Sequence, residues 1–346
     1  MPRRRSTKDP SKPHDVVPAS GRVVALTGAH GYLGRQLIQH FEDDPACAGV
    51  LALDVRRPEL PLAKTRFYRV DLTSSTADAE IAKILSNGNA DTLVHAAFLY
   101  TMTPAASWAH ELEVIGTLRV LDAVRQCPVR KIIMWSLTSV YGARPDNPNY
   151  IEESHEPRGT PDDRAVMDRL AAETEFLRFA KENPHVIVTV LRTAHVLGPT
   201  IRNHVTQFFR WPFVPALWGR DPLMQFLHEE DFVDAFKAAI ERDAPGVFNI
   251  AADGVLPYST VVAMMGRIPV RLPASLVFPA ARALAAFSPA LSPSLLQGLR
   301  YPCVADTTLA RERLGFRPRY DIRAAIADFA GVSRETLDAG GEGGRA

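Results

Sequence analysis

The sequence predicts a doubly wound α/β fold, a parallel sheet with helices on both faces, followed by a smaller, irregular C-terminal lobe. Three observations predict it. Short runs that are apolar throughout alternate with segments whose apolar residues recur at helical spacing, the pattern of strands covered on both faces by crossover helices. The first such run, Val23-Val-Ala-Leu26, opens into a turn carrying Gly28, Gly31 and Gly34. Beyond Leu191 the alternation stops, and Pro199, Pro212, Pro215 and Pro222 stand among Phe208, Phe209, Trp211, Phe213 and Trp218.

The glycine turn is built for a phosphate. Gly28 lets the chain bend tightly, Gly31 leaves no Cβ between backbone and pyrophosphate, and Gly34 lets the new helix lie close on the strand. With His30, Tyr32 and Leu33 between the glycines, the first amides of that helix and its dipole face the anion. A second apolar run, Val50-Leu-Ala-Leu53, ends in Asp54, where a dinucleotide site places a carboxylate for the adenosine ribose hydroxyls. Strand, turn, helix, strand and acid in this order make a Rossmann-type dinucleotide site. Asp54 repels a 2′-phosphate, so NAD is the expected cofactor. Arg56 and Arg57 just beyond soften that repulsion and keep NADP as the lesser alternative.

A third strand is expected over Arg66-Phe-Tyr-Arg-Val-Asp-Leu72, and its Asp71 either approaches the adenine or caps the next helix. A helix over 76–85 and a fourth strand, Thr92-Leu-Val-His-Ala-Ala97, follow; the small residues after His95 let a cofactor backbone pass close to Ala96 and Ala97. Leu112, Ile115, Leu118, Val120 and Leu121 mark a helix over 108–125, and Lys131-Ile-Ile-Met-Trp135 a fifth strand. Thr160, followed by Pro161, Asp162 and Asp163, predicts a helix start with Thr160 as cap. That helix runs to about Lys181, before a sixth strand at 186–191. The segment 226–228, a helix over 231–240 and the strand 246–250 are expected to return to the main sheet. Residues 272–296 are apolar, yet Pro273, Pro279, Pro289, Pro293 and Arg282 oppose a spanning helix, leaving packed lobe helices or a partner-facing surface. The expected division is a basic tail over 1–20, a dinucleotide domain over 21–192 plus 226–252, a substrate lobe over 193–225 plus 253–335, and a tail over 336–346.

Forty basic and 39 acidic residues give a net charge of +1, which provides no global field for nucleic acid. Cys47, Cys127 and Cys303 lack metal or CxxC spacing, so reduced thiols, no metal and a cytoplasmic setting are expected. The N-terminal Arg3-Arg4-Arg5 has no apolar segment after it, unlike a signal peptide. It reads as a disordered tail, with an anion- or membrane-touching arm as the lesser alternative, and no other membrane contact is expected.

The sequence resembles the extended short-chain dehydrogenase/reductase family, in its NAD-dependent epimerase/dehydratase group typified by UDP-glucose 4-epimerase. The resemblance spans residues 22–330. It rests on the glycine turn, Asp54, Asp71-Leu72, His95-Ala-Ala97, Ser136-Leu-Thr-Ser-Val-Tyr-Gly142, Leu191-Arg-Thr-Ala-His-Val-Leu-Gly-Pro199, Phe226-Leu-His228 and Leu314-Gly-Phe-Arg-Pro318. It implies a carbinol substrate of nucleotide-sugar type, and chemistry by a tyrosine acid/base with a lysine one helical turn later. Here Ala165 falls at the tyrosine position and Arg169 at the lysine position. Arg169 is able to hydrogen-bond a ribose but not to act as a base. The family's hydroxyl falls on Leu137, with Thr138 beside it, and Glu113 and His195 stand at asparagine positions. Pro222-Leu-Met-Gln225 lacks the arginine that epimerases use on the diphosphate. Two readings follow. One is an active oxidoreductase or epimerase with a relocated proton donor, the candidates being Tyr141, Tyr150, His155 and His195, with Thr138 binding the oxygen. The other is a catalytically silent dinucleotide-binding sensor, regulator or scaffold. The 272–296 face is a candidate homodimer or partner contact.

Overall fold

The computed structural model describes residues 21–100, 103, 105–284 and 290–332; the tails expected at 1–20 and 336–346, and Pro289, lie outside these. The first half alternates regularly: β1 (Arg22–Thr27), α1 (Tyr32–Asp43), β2 (Cys47–Asp54), β3 (Thr65–Arg69), α2 (Ala77–Asn87) and β4 (Thr92–His95). Then come α3 (Ala106–His110), a π-helical turn, α4 (Gly116–Arg125), β5 (Lys131–Leu137), a 3-10 turn (Thr138–Tyr141), α5 (Arg164–Glu182) and β6 (Ile187–Thr193). The second half is finer-grained: β7 (His195–Leu197), α6 (His204–Phe209), β8 (Phe213–Leu217), β9 (Leu223–Met224), β10 (Phe226–His228), α7 (Glu229–Glu241) and β11 (Gly246–Ile250). It ends with β12 (Leu256–Pro257), α8 (Tyr258–Met264), β13 (Ile268–Leu272), α9 (Ala274–Leu284), α10 (Pro293–Gly298) and α11 (Ile322–Ala330).

Seven parallel strands form the main sheet in the order β11-β6-β5-β4-β1-β2-β3. Val24 of β1 lies between Val50 of β2 and Thr92 of β4. Because α2 packs on α4, α4 on α5, and α1 on α7, both sheet faces are covered, which explains strands as uniformly apolar as Val23 to Leu26 and Val50 to Leu53. Strand order reverses at β1, so the connections leaving β1 and β4 diverge and open a crevice beyond their carboxyl ends. A second apolar core, with Phe208, Phe209, Phe226, Val261 and Ile326 at its centre, fills the C-terminal lobe.

Two expectations are corrected here. Phe226–His228 does not join the main sheet: β10 pairs with β7 in a two-stranded parallel sheet. The helix expected from Thr160 begins at Arg164, capped by Asp163, whose Oδ1 accepts the Val166 N–H at 3.3 Å. Asp163 is held in place from afar, its Oδ2 accepting the Ser294 N–H at 3.0 Å and hydroxyl at 2.6 Å. That tie to α10 fixes the helix start three residues later than the local signal.

Candidate cofactor and substrate site

The turn after β1 is shaped by its glycines. Gly28 has φ +72°, and a Cβ there would lie 2.5 Å from the Ala96 carbonyl oxygen, so the β1 and β4 connections pass each other only without one. A Cβ on Gly34 would lie 2.5 Å from the Gly28 oxygen, which fixes how closely α1 seats on the turn. Asp54 holds this turn: its Oδ2 accepts the His30 N–H at 2.9 Å and its Oδ1 the Arg56 N–H at 3.0 Å. No side chain of α1's own cap, Gly31, occupies the helix N-terminus. The Leu33 N–H instead donates to the Tyr100 hydroxyl at 3.0 Å, and a Cβ on Gly31 would lie 3.4 Å from the Tyr100 ring. A phenol oxygen therefore sits where the cradle presents an amide for an anion.

Two other expected cofactor contacts are placed differently. His95 is fully buried, its Nδ1 2.7 Å from the Thr27 hydroxyl and its Nε2 2.9 Å from that of Thr117. Thr117 spends its own proton on the Glu113 carbonyl, so His95 donates from Nε2 and accepts at Nδ1. Its ring stitches β1 and β4 to α4 and has no face toward a ligand. Asp71 lies past the end of β3, and its Oδ1 accepts the Thr73 N–H and hydroxyl at 2.9 and 2.7 Å, making a local turn ahead of α2. Leu72 is buried, with its carbonyl accepting from Arg119 at 2.7 Å.

A cleft lies over the carboxyl end of β5, lined by Tyr100, Glu113, Trp135, Ser139, Ala165, Arg169, His195 and His204, and it meets the cradle at Tyr100, whose hydroxyl holds the Leu33 N–H. Ala165 and Arg169 thus lie together on α5 as their spacing predicts. Arg169 is buried, its Cζ 3.9 Å from the Phe98 ring centre and 4.8 Å from that of Trp135, with Nη1 donating to the Trp135 carbonyl at 3.4 Å. Its Nε lies 3.5 Å from Glu113 Oε2. Glu113 is equally buried, its Oε1 accepting the Leu99 N–H at 2.9 Å while Oε2 has no hydrogen-bond donor. Burial pushes the Glu113 carboxyl above the usual carboxylate range, against the pull of the Arg169 charge. His195 stands in the cleft 5.6 Å from the His204 ring, and burial, then that neighbour, push it down to about 3. It is a neutral imidazole at neutral pH, able to hydrogen-bond but not to supply a proton. Thr138 faces an adjoining hollow with Met224, Gln225 and Cys303, and its carbonyl accepts the Cys303 thiol at 3.6 Å.

The remaining candidates are not brought to the cleft. Tyr150 is 54% exposed beside Asp306 and Arg311 in a separate surface hollow. Tyr141 is fully buried, donating to Asn249 Oδ1 at 2.8 Å and accepting from Arg192 at 2.7 Å, and burial pushes it up to about 12. The His155 ring packs 6.1 Å from it. Arg192 in turn grips Glu173, which also accepts the Ser136 hydroxyl. Tyr141 and the Arg192 and Glu173 positions are a structural knot joining β5, β6, α5 and β11. Sequence reasoning missed Ser139, whose hydroxyl has no partner and whose side chain borders both hollows. It lies one residue past Thr138, and the 3-10 turn that follows β5 is what aims it. Among the described residues no cluster of His, Cys, Asp or Glu is arranged to hold a metal ion.

Fold and site together define a nucleotide-binding α/β protein of the doubly wound class, with its glycine turn at the strand-order reversal. Residues 24–251 match the NAD dependent epimerase/dehydratase family, and the chain belongs to that family. An uncharacterized protein of Mycobacterium tuberculosis is 32% identical over 324 residues, covering 90% of this chain and 84% of the relative. An uncharacterized epimerase/dehydratase of Staphylococcus epidermidis is 24% identical over 322 residues, covering 87% and 94%. Among solved structures, MoeE5 in complex with UDP-glucuronic acid and NAD superposes with a TM-score of 0.68 at 24% identity, over 91% of this chain and 100% of that one. UDP-glucose 4-epimerase of Thermotoga maritima, solved with UDP-glucose, gives 0.66 at 19% identity, over 91% and 99%. At these identities the structural likeness concerns the fold.

Proposed function

We propose that this protein binds NAD along the glycine turn and a small carbinol or carbonyl compound in the adjoining cleft, as an oxidoreductase or epimerase that works without a Tyr/Lys pair. The observation that carries this reading is Tyr100, which lines the cleft that holds Ser139 and His195 and whose hydroxyl accepts the Leu33 N–H at the start of α1, so that cradle and cleft share one wall. The residues present fit the cofactor. Gly28, Gly31 and Gly34 leave room for a backbone-bound pyrophosphate, and the Asp54 carboxylate stands at the end of β2 where adenosine ribose hydroxyls are met. Bound NAD would supply hydride exchange. The chain's own groups would hold the substrate oxygen, Ser139 and neutral His195 as hydrogen-bond partners, with Thr138 in the adjoining hollow.

The replaced pair favours a second reading, a catalytically silent NAD-binding sensor, regulator or scaffold. Loss of a positioned acid/base alone costs about 10²–10⁴-fold in rate. The solved relatives named above carry UDP-glucuronic acid or UDP-glucose, which makes nucleotide sugars the first compounds to try. Gln225, though, is committed to Ala305, donating at 3.0 Å and accepting at 2.9 Å.

The test is to denature the purified protein and quantify released nicotinamide cofactor, then to titrate NAD into parent and Gly31→Val. Gly31 has φ −63° and ψ 170°, a backbone conformation open to valine, but a Cβ there would lie 3.1 Å from the Gly28 oxygen and 3.4 Å from the Tyr100 ring, so circular dichroism of the variant accompanies the titration. Equal NAD binding by parent and variant would refute the cofactor site. Bound NAD with turnover of a carbinol supports the first reading, and bound NAD without turnover the second.

A further inference from the structure

The outer face of the β8–β13 ribbon, together with Trp218 and Leu276 of α9, is apolar and exposed. The parallel register sets Phe213 beside Ile268 and Pro215 beside Val270, while Leu217, in register with Leu272, is buried at the end of β8. The alternate residues Val214 and Ala216 turn into the second core. Ten large apolar side chains are exposed among the described residues, and six of them lie here: Phe213 (57%), Trp218 (64%), Ile268 (56%), Val270 (39%), Leu272 (37%) and Leu276 (58%). Such concentration marks a contact surface rather than scattered exposure.

Charge follows the same segments. Residues 202–220 and 263–284 contain six arginines, at 202, 210, 220, 267, 271 and 282, and no lysine, aspartate or glutamate, within a chain of net charge +1. The nearest carboxylate along the chain, Asp221, is taken by the Ser259 N–H and hydroxyl at 2.8 and 2.7 Å. Burial, then the charges of Arg202 and Arg267, hold Arg210 below its ordinary range, as expected for cations crowded without counter-ions.

We propose that this face docks on an anionic lipid bilayer, with Phe213, Trp218, Ile268 and Leu276 entering the headgroup–acyl boundary and the arginines meeting lipid phosphates. Exposed aromatic and aliphatic side chains rimmed by arginine are what an interfacial protein presents, and arginine stems lie along apolar surface while their heads stay at the phosphates. A second copy of the chain fits poorly, because a two-fold contact would set these arginines against themselves. A nucleic acid would satisfy the charge but offers nothing to Ile268, Val270, Leu272 and Leu276, which neither stack on bases nor hydrogen-bond. No helix among the described residues is long and apolar enough to cross a membrane, so the contact is peripheral.

The experiment is co-sedimentation of the full chain with vesicles of phosphatidylcholine, with and without phosphatidylglycerol, at about 0.1 M salt, where the Debye length is about 10 Å. Binding to the anionic vesicles with a blue shift of tryptophan emission is expected. Arg220→Gln should lower partitioning about fivefold. Phe213→Ser/Trp218→Ser should lower it at least about tenfold and abolish the shift. Circular dichroism establishes that both variants fold, and because every named side chain is exposed they are expected to. Absence of binding overturns the proposal, as does binding undiminished in both variants, which Arg3-Arg4-Arg5 alone would give. A dimer in sedimentation that the Phe213/Trp218 changes dissociate also overturns it, and so does capture of an acidic protein without lipid.

Discussion

Tyr100→Phe should tighten NAD binding. In the structure the phenol oxygen takes the Leu33 N–H at 3.0 Å, and a pyrophosphate bound by the first amides of α1 has to displace it. The ring itself is anchored elsewhere, 4.6 Å from the Trp135 ring centre, and the Tyr100 carbonyl accepts the His204 N–H at 3.4 Å. Phenylalanine keeps the ring contacts and removes only the competing hydrogen bond. A neutral protein hydrogen bond is worth about 1 kcal/mol net, so the dissociation constant should fall about fivefold. ADP-ribose, which carries the same pyrophosphate, should gain equally. The assay is calorimetric titration of NAD and of ADP-ribose into parent and variant. An unchanged or weaker affinity of Tyr100→Phe for both ligands would show that the phenol does not compete with the phosphate. Failure of parent, Tyr100→Phe and Tyr100→Ala alike to bind either ligand would instead refute the cofactor assignment.

Acid should destabilise the fold through His95. Burial, then the Arg169 charge, lower its pKa to about 3, against about 6.5 in the unfolded chain. A depressed folded pKa contributes stability that is present above pH 6.5 and lost as pH falls toward 3, so lowering pH from 7.5 to 5.5 should remove about 1.4 kcal/mol. Urea unfolding at the two pH values measures this, and His95→Asn should shrink the difference by that amount. Glu173→Gln should cost about 3–5 kcal/mol in urea unfolding, because it leaves buried Arg192 without its counter-ion. A loss under about 1 kcal/mol would mean that Tyr141 and the Glu153 carbonyl alone satisfy the guanidinium.

The sheet and the cradle were legible because their signals are local. An all-apolar strand, three glycines and an acid ending the next strand each act within a few residues of where they are written. What the sequence did not disclose depends on residues far apart. Tyr100 meets Leu33 across 67 positions, and nothing in the spacing of either announces it. His95 looked like a cofactor contact because it precedes Ala96 and Ala97, yet the hydroxyls of Thr27 and Thr117 claim both its nitrogens. The start of α5 was misplaced because Ser294, on α10, selects Asp163 over Thr160 as cap. The lobe was legible only as irregular. Its two-stranded sheets, β7 with β10, β8 with β13 and β9 with β12, are too short to show a period.

The replacement of the catalytic pair that we propose, by Ala165 and Arg169 with Glu113 beside them, is coherent as a set, and that coherence is testable. Arginine in place of lysine alone would bury a cation that cannot discharge, and alanine in place of tyrosine removes the phenol such a cation would have served. Glu113, at an asparagine position, supplies an anion 3.5 Å from Arg169, and both side chains are nearly inaccessible, at 3% and 2%. Removing one partner of a buried pair costs about 3–5 kcal/mol, whereas replacing both by apolar or neutral groups of similar volume is close to neutral. Glu113→Gln and Arg169→Met should therefore each lower stability by about that much, and the double variant should recover most of it, a coupling above about 2 kcal/mol in a double-mutant cycle. Such a coupling means that Arg169 is committed to Glu113 and to the Phe98 and Trp135 rings rather than waiting for a ribose. Ala165→Tyr with Arg169→Lys would then restore family chemistry only when Glu113→Asn accompanies them, since a carboxylate beside the lysine cancels the field that lowers the tyrosine pKa. Coupling below about 0.5 kcal/mol would refute the commitment of Arg169 to Glu113.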